Sequence, residues 1–379
     1  MLVVGTATMA LIIVLSVFNG LEDLLRSLYG SFDPDIQIVA AEGKSFEYSD
    51  SLKNNVMAIE GVSSVTETVE DNVLIKYKNA QRVVRLKGVS EEFLAQKRLD
   101  KYLVFGKLDL KEDGINYALV GRGIQYDLQI RPNNDFYTIQ VWYPKNLRPG
   151  ITDPSRLATI QHILPGGVFA IEKYYDENYV IVPIEFAEEL LRYEGRRSTL
   201  EVQIMPEANA NTVRQRIGDA LGTAFLVKTN DEIHEDLYKV LKLEKFFVFF
   251  TFSVIIAIAS INIYFALTML AIDKEKDISI LKAFGANLGL IRKIFIYQGA
   301  IVALSGAFTG LLIGLAISFL QQEYEFISMG MQTAIMEAYP VKVELWDVVF
   351  TCICIVLITF LASFQPARIA SRKFLLREL

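Results

Sequence analysis

The sequence predicts an α-helical membrane protein with four transmembrane helices and a large α+β periplasmic domain, built as a split α+β lobe with a β-rich insertion. Three observations predict it. First, Met1–Leu21, Phe246–Ile272, Ile294–Gln322 and Val348–Ala367 carry no charged residue, and about 20 apolar residues at a ~1.5 Å rise suffice to cross a bilayer. Second, the region from Glu22 to Lys245 mixes strand-like and helix-like patterns. Third, basic residues crowd two of the connecting segments and avoid a third. Lys274, Lys276, Lys282, Arg292 and Lys293 follow the second run, and Arg368, Arg372, Lys373 and Arg377 follow the fourth. The 323–347 segment holds Lys342 against Glu323, Glu325, Glu337 and Glu344. Short basic loops mark the cytoplasmic side. The large domain is then external, and periplasmic in a two-membrane bacterium.

The elements follow in order. The first run, 1–21, lacks a basic stretch before it and continues at helical spacing through "LSVFNGLEDLLRSLYGSF". It reads as an uncleaved span whose upstream flank is missing, the chain starting at an internal Met. The external domain, 22–245, opens on a strand at Asp35–Ala40 and a helix at Ser51–Gly61, with Val56 and Ile59 inward and Gly61 as its stop. "VSSVTETV", "NVLIKY" and "RVVRLKGV" read as three strands. Short strands between Gly and Pro then dominate from about 117 to 184, the expected insertion. "STLEVQIM", "NANTVRQRIGDAL" and "TAFLVKT" restore a strand–helix–strand order. "IHEDLYKVLKLEKFF" reads as a helix running into the span 246–272, so it forms a rigid lever. The remaining parts are a cytoplasmic stretch 273–293, a span 294–322, an external loop 323–347, a span 348–367 and a cytoplasmic tail 368–379.

Composition excludes several function classes. Net charge is −6 and no basic stripe is interleaved with aromatics, which leaves no nucleic-acid partner. Cys352 and Cys354 both fall in the last span and do not make a disulfide scaffold. His162 and His234 lack Cys or carboxylate neighbours at metal spacing and read as surface or packing residues. Neither a nucleophile elbow nor a phosphate-binding loop is present, so neither catalytic residues nor a bound cofactor or metal is expected. No charge lies within a span, which disfavours an ion or proton pathway. Gly306, Gly310 and Gly314 recur at every fourth position of the third span, a spacing that lets two helices approach closely.

The segment "DKEKDISILKAFG" predicts a short helix with Ile278, Leu281 and Phe284 on its apolar side, ended by Gly285; Asn287 caps the next helix. On pattern alone it is either a docking surface or a helix lying on lipid headgroups. Here the sequence resembles permease subunits of ABC transporters in the MacB/FtsX superfamily. Their cytoplasmic stretch "R-x-x-E-I-x-I-L-x-A-x-G-A" is matched by Lys274, Asp277, Ile278, Ile280, Leu281, Lys282, Ala283, Gly285 and Ala286, with Asp for the usual Glu. The Pro-Ala-x-x-Ala-like tail is matched by Pro366, Ala367, Arg368 and Ala370. "LSVFNGLEDLL" and "GGVFAIEKYYDENYVIVPIEFAEELL" resemble the lipoprotein-releasing, LolC/LolE-type branch. Such proteins begin with an amphipathic cytosolic helix that has no counterpart before this first span.

The resemblance implies a coupling helix for a cytoplasmic ABC ATPase dimer, formed here by Lys274, Asp277, Ile278, Leu281, Lys282, Ala283, Phe284, Gly285 and Ala286. ATP and Mg would sit on that partner. It implies a second copy or a related permease subunit, a lipoprotein substrate drawn from the outer leaflet, and a periplasmic lipoprotein carrier. An acyl-chain groove would be lined by Leu11, Leu15, Phe18, Phe249, Phe250 and Val254; ordinary lipid contact or helix packing is the other reading of these residues. The carrier would dock on the loop bearing Pro144, Pro149 and Pro154. Alternatives are a MacB-like efflux subunit, an FtsX-like mechanotransmitting subunit, or a membrane-anchored sensor.

Overall fold

The computed structural model describes residues 2–132, 136–145, 158–328 and 338–372, with backbone alone for 282 and 365–372. The chain divides into two compact units. One comprises Met1–Leu25, Asp236–Gln332 and Met336–Leu379, and the body of the other is Arg26–Glu235.

In chain order the elements are α1 (Leu2–Phe32), β1 (Ile36–Ala40), β2 (Phe46–Glu47), α2 (Asp50–Met57), β3 (Val62–Tyr77), β4 (Ala80–Val89) and α3 (Glu91–Ala95). Then come β5 (Leu103–Gly106), β6 (Lys111–Glu112), β7 (Ile115–Gly121), α4 (Arg122–Leu128), β8 (Ile139–Pro144) and β9 (Ala158–Phe169). They are followed by α5 (Lys173–Asn178), β10 (Tyr179–Pro183), α6 (Ile184–Leu191), β11 (Arg196–Arg197), β12 (Thr199–Ile204), α7 (Ala210–Leu221), β13 (Phe225–Thr229) and α8 (Asn230–Ile233). Four helices close the chain: α9 (Glu235–Asp273), α10 (Glu275–Ala283), α11 (Leu288–Tyr324) and α12 (Leu345–Arg372).

The α+β unit is built on one mixed sheet in the order β13-β1-β12-β3-β4-β10-β7-β9-β5, with β8 pairing both β3 and β9. Where the sequence suggests two strands at 62–77, β3 is one strand of 16 residues. The polar triplet Glu70-Asp71-Asn72 looks like a break, but each residue is paired opposite β4. Glu70 faces Arg85 at 3.3 Å, and Asp71 accepts the Tyr143 hydroxyl at 2.8 Å. The two halves of β3 serve different partners: β12 joins at Val62–Thr68, and β8 at Leu74–Lys76.

That long strand also corrects the picture of a separate insertion. β10 runs parallel to β4 and antiparallel to β7, so strands from 115–183 extend the same sheet. What divides is the core. One cluster gathers Ile38, Val56, Val65, Leu200 and Ile217 under α2 and α7. The other gathers Val73, Leu86, Ile124, Val180 and Leu190 under α4 and α6. Local signals set the helix ends, though the first external helix ends short of the expected Gly61. The Asn209 side chain accepts from Asn211 and Thr212 at the start of α7, and α2 stops at Met57, earlier than Gly61, which has φ +97°.

In the helical unit, α1, α9, α11 and residues 345–364 of α12 are long and apolar enough to cross a membrane. Each helix extends past the charge-free run that announces it, because charged residues at helix ends keep helical backbone while reaching water. Their shared core holds Val4, Leu11, Leu15, Ile256, Ile263, Ala303 and Ile355. A Cβ on Gly310 would lie 2.1 Å from the Gly5 carbonyl oxygen, and one on Gly314 would lie 3.1 Å from that of Met9. Gly5 thus faces Gly310 as Met9 faces Gly314, so α1 and α11 run parallel in backbone contact.

Candidate functional site

The α10 turn links α9 to α11. Ile278 is its anchor, buried with Ala271, Ile291 and Phe295. Lys274 pairs with Asp277 at 2.9 Å along the exposed face. Gly285, at φ +90°, ends the helix, and the Ala286 N–H returns to the Leu281 carbonyl at 3.0 Å, the longer bond of a Schellman motif. The Asn287 side chain accepts from the Leu290 N–H at 2.7 Å and starts α11. The apolar side expected of Ile278, Leu281 and Phe284 is divided. Ile278 turns inward, while Leu281 is 42% and Phe284 86% exposed, joined by Ile280 at 56%. Ala283 and Gly285 are exposed and Ala286 is half-buried. The turn can therefore dock an apolar partner surface while Ile278 holds it to the bundle.

The opposite end of the same bundle is closed by polar groups. Lys245 on α9 donates to the Asn19 Oδ1 of α1 at 2.7 Å and pairs with Asp347 on α12 at 2.9 Å and Glu344 at 3.6 Å. The Asn19 Nδ2 donates to the Asp347 Oδ2 at 2.7 Å and to the Lys342 carbonyl at 3.3 Å. The Lys342 N–H donates to the Ser16 carbonyl at 2.9 Å. On α11, Gln321 donates to the carbonyls of Ile327 and Tyr339 and accepts from the Ile327 N–H. Gly20 is required here: a Cβ would meet the Pro340 carbonyl oxygen at 2.3 Å. Sequence reasoning noted "VFNG" only as a resemblance. Its one physical signal was an Asn in an otherwise apolar run.

The residues read as an acyl groove do not share one surface. Leu11 and Leu15 are buried in the helix core, Phe18 is half-buried, and Phe249 packs partly against that core. Phe250 and Val254 lie on the outside of α9, 57% and 41% exposed. Of the loop prolines, Pro144 ends β8 opposite Ala158, and Pro149 and Pro154 lie outside the described residues.

In the α+β unit, Asp33 is a junction. Its Oδ2 accepts the Tyr175 hydroxyl and lies 2.7 Å from the His234 Nε2; its carbonyl accepts from Arg98 at 2.9 Å. Burial, reinforced by the Asp33 charge, pushes the Tyr175 phenol well above its ordinary range. His234, read as a surface or packing residue, is thus bound into this junction and stacks on Tyr29 at 4.2 Å. Beneath lies a buried charge cluster. Lys87, 1% exposed, pairs with Glu201 at 2.6 Å and Glu70 at 3.8 Å, under the ring of Phe32 at 4.4 Å. Burial pushes the Glu70 carboxyl up, against the pull of Lys87 and Arg85. Among the described residues no group of His, Cys, Asp and Glu could hold a metal ion.

Residues 249–373 match the FtsX family, described as FtsX-like permease C-terminal. This stretch, which holds α10, is an FtsX-like permease domain. Over 376 residues the chain is 24% identical to the lipoprotein-releasing system transmembrane protein LolC of Neisseria meningitidis serogroup B, covering 96% of this chain and 88% of that protein. It is 21% identical over 381 residues to the lipoprotein-releasing system transmembrane protein LolE of Haemophilus influenzae, at 96% and 88% coverage. Among solved structures, the periplasmic region of MacB from Actinobacillus actinomycetemcomitans aligns with a TM-score of 0.38 and 14% identity, over 57% of this chain and 98% of that one.

Proposed function

We propose that this chain is a permease subunit of an ABC transporter that releases lipoproteins from the outer leaflet of a bacterial inner membrane. The α+β unit then stands in the periplasm, and α10 is the cytoplasmic coupling helix. The reading is carried by one observation: Ile280, Leu281 and Phe284 are exposed on a turn held rigid by Ile278, Gly285 and Asn287. Apolar side chains fixed in water favour burial against a partner at about 25 cal/mol per Å². The similarity to LolC and LolE supplies the substrate class.

In this reading an ATPase dimer binds ATP and Mg and pushes on α10, while this chain holds no nucleotide itself. Permeases act in pairs, as two copies or with a related subunit. The push reaches the external unit through α9, which continues unbroken from Glu235 to Asp273. A lipoprotein's acyl chains are drawn from the outer leaflet and passed to a periplasmic carrier, for which the 143–154 loop is the proposed dock.

The test is tagged purification from native membranes in mild detergent, with mass spectrometry of the bound proteins. Co-purification of an ABC ATPase and acylated proteins is the expected result. An ATPase with a cell-wall hydrolase or a channel component would replace lipoprotein release by mechanotransmission or efflux. Absence of an ATPase, where a control transporter stays intact, would overturn the coupling assignment.

A further inference from the structure

The end of the helical unit that carries α10 holds a cation that lipoprotein release does not use. Lys245, Lys274 and Lys342 of this unit each pair with a carboxylate. Arg292 on α11 does not. Among the described residues no carboxylate or hydrogen-bond acceptor meets its guanidinium, and its Nε is buried without a partner. Instead the guanidinium lies on the ring of Phe364 on α12, 4.3 Å from the centroid. The two helices are close here, since a Cβ on Gly299 of α11 would meet the Ser363 Oγ of α12 at 2.3 Å. The Phe364 ring contacts that of Phe360, centroids 5.8 Å apart, and Leu357 follows on the same face of α12. Phe360 and Leu357 are both exposed. An unpaired guanidinium thus stands at the head of an open apolar stripe, just before the charge-free run that begins at Ile294.

We infer that Arg292, held on Phe364, binds the phosphate of an anionic glycerophospholipid in the leaflet at the α10 end, with the acyl chains lying along Phe360 and Leu357. The inference goes beyond the proposed function and needs only that α11 and α12 cross a bilayer. A guanidinium offers a planar fork of donors and no acceptor, and it pairs bidentately with phosphate. The ring face fixes the orientation of that fork. With the Nε edge closed, the terminal nitrogens are left to donate. The position of the site selects the ligand. Charge gives way to apolar sequence at Ile294, which is where the headgroup layer meets the hydrocarbon core. A free phosphate would use the cation and leave the stripe bare. A neutral lipid would use the stripe and leave the cation unpaired. A zwitterionic headgroup brings its own cation, which competes with Arg292 for the phosphate. An anionic phospholipid satisfies both parts without that competition.

The test places the full chain, with Cys352→Ala and Cys354→Ala as background, in phosphatidylcholine vesicles containing phosphatidylglycerol with brominated acyl chains. A bimane on Leu357→Cys reports the stripe, because Leu357 lies two turns deeper than Phe364, about 10 Å, within reach of mid-chain bromines. A bimane on Phe308→Cys, exposed nearer the other end of α11, reports bulk lipid. Quenching should show phosphatidylglycerol preferred over phosphatidylcholine by about fivefold at 357 and not at 308. Arg292→Gln should remove that preference. Lys293→Gln removes an equal charge from the next, exposed residue and should leave most of it. Phe364→Leu keeps the guanidinium without its support and should fall between the two. Each variant is read at both positions, and an unchanged curve at 308 shows that it is intact. The site is overturned if position 357 shows no preference, if Arg292→Gln keeps it, or if Lys293→Gln loses as much, which is the mark of a diffuse surface potential. Inorganic phosphate added at constant ionic strength should leave the preference in place; if it abolishes it, the site takes a free anion and the lipid assignment falls. If Arg292→Gln keeps the preference but no longer retains a co-purifying ATPase, the guanidinium serves that partner instead. Quenching needs neither ATPase nor lipoprotein, so the site stands or falls apart from the proposed function.

Discussion

The two units place charge in opposite ways. The α+β unit buries it: Lys87 and Glu201 face each other at 1% and 2% exposure in the middle of the sheet. The helical unit excludes charge from its interior and confines it to the ends, where Lys245 meets Asp347 and Lys274 meets Asp277. A water-exposed fold can bury a charge if every partner is in place, since desolvation is offset locally. A helix crossing lipid has no such partners along its length and keeps polar groups for its ends. Specificity is thus set by ion-pair geometry in one unit and by backbone proximity in the other.

The sharpest way to break this comparison is Lys87→Ala. It removes the shared buried partner of Glu201 and Glu70 and leaves them only Arg98 at 3.6 Å and Arg85 at 3.3 Å, and a buried pair with one member removed loses about 3–5 kcal/mol. Early melting of the α+β unit, read by limited proteolysis on heating, is the expected outcome. Adding Glu201→Leu to Lys87→Met should cost less than Lys87→Ala alone; an additive loss would show that the cluster is not a unit. In the helical unit the matching test contains no charge. Gly310→Ala drives a methyl into the Gly5 carbonyl and should cost about 1–3 kcal/mol by overpacking. Gly314→Ala, with 3.1 Å to the nearest atom, should cost visibly less. Equal losses in detergent thermal melts would mean that the α1–α11 contact is not set by backbone approach.

How far each unit could be read in advance follows the same division. The spans were legible because exclusion of charge is a local property, visible in any charge-free run such as Ile294–Gln322. The stops and starts at Gly285 and Asn287 were legible because caps use residues adjacent in sequence. The unity of β3 was not, because Glu70 and Asp71 find their partners on β4 and β8. Nor was the polar closure of the bundle end, whose Asn19 and Lys245 are 226 residues apart. Periodicity tells which face of a helix is apolar; it does not tell which distant polar group meets it.

The α10 turn sharpens the comparison from a third side, since it puts apolar groups where the helical unit elsewhere puts charge. Phe284→Asp should leave the melting of the chain unchanged, because the side chain is 86% exposed. It should weaken ATPase association about tenfold or more, roughly 1.4 kcal/mol. Ile278→Asp should lose both, because it buries a carboxylate among Ala271, Ile291 and Phe295. If both variants behave alike, the division of α10 into an anchored and a presented side is wrong.

The smallest effect tests charge burial at the edge of the α+β unit. Asp176 in α5 is half-buried, and its Oδ1 accepts from the Ile171 N–H at 2.8 Å. Burial pushes its carboxyl up from 3.8 to about 6, with the nearby Glu172 adding and Arg122 opposing. A raised folded-state value means that the folded chain favours the protonated acid. The stabilisation is fully present below the unfolded value and is lost as pH rises through about 6. At pH 7.5 the group is an ionised carboxylate held partly out of water. Asp176→Asn keeps an acceptor for Ile171 and removes the charge, so its advantage over the parent should grow as pH rises from 4 to 7.5. A widening of about 2 °C between the two melting curves is expected. A difference that stays flat across that range would show that Asp176 is solvated in the folded chain, and that this unit tolerates unpaired charge only at its wet edges.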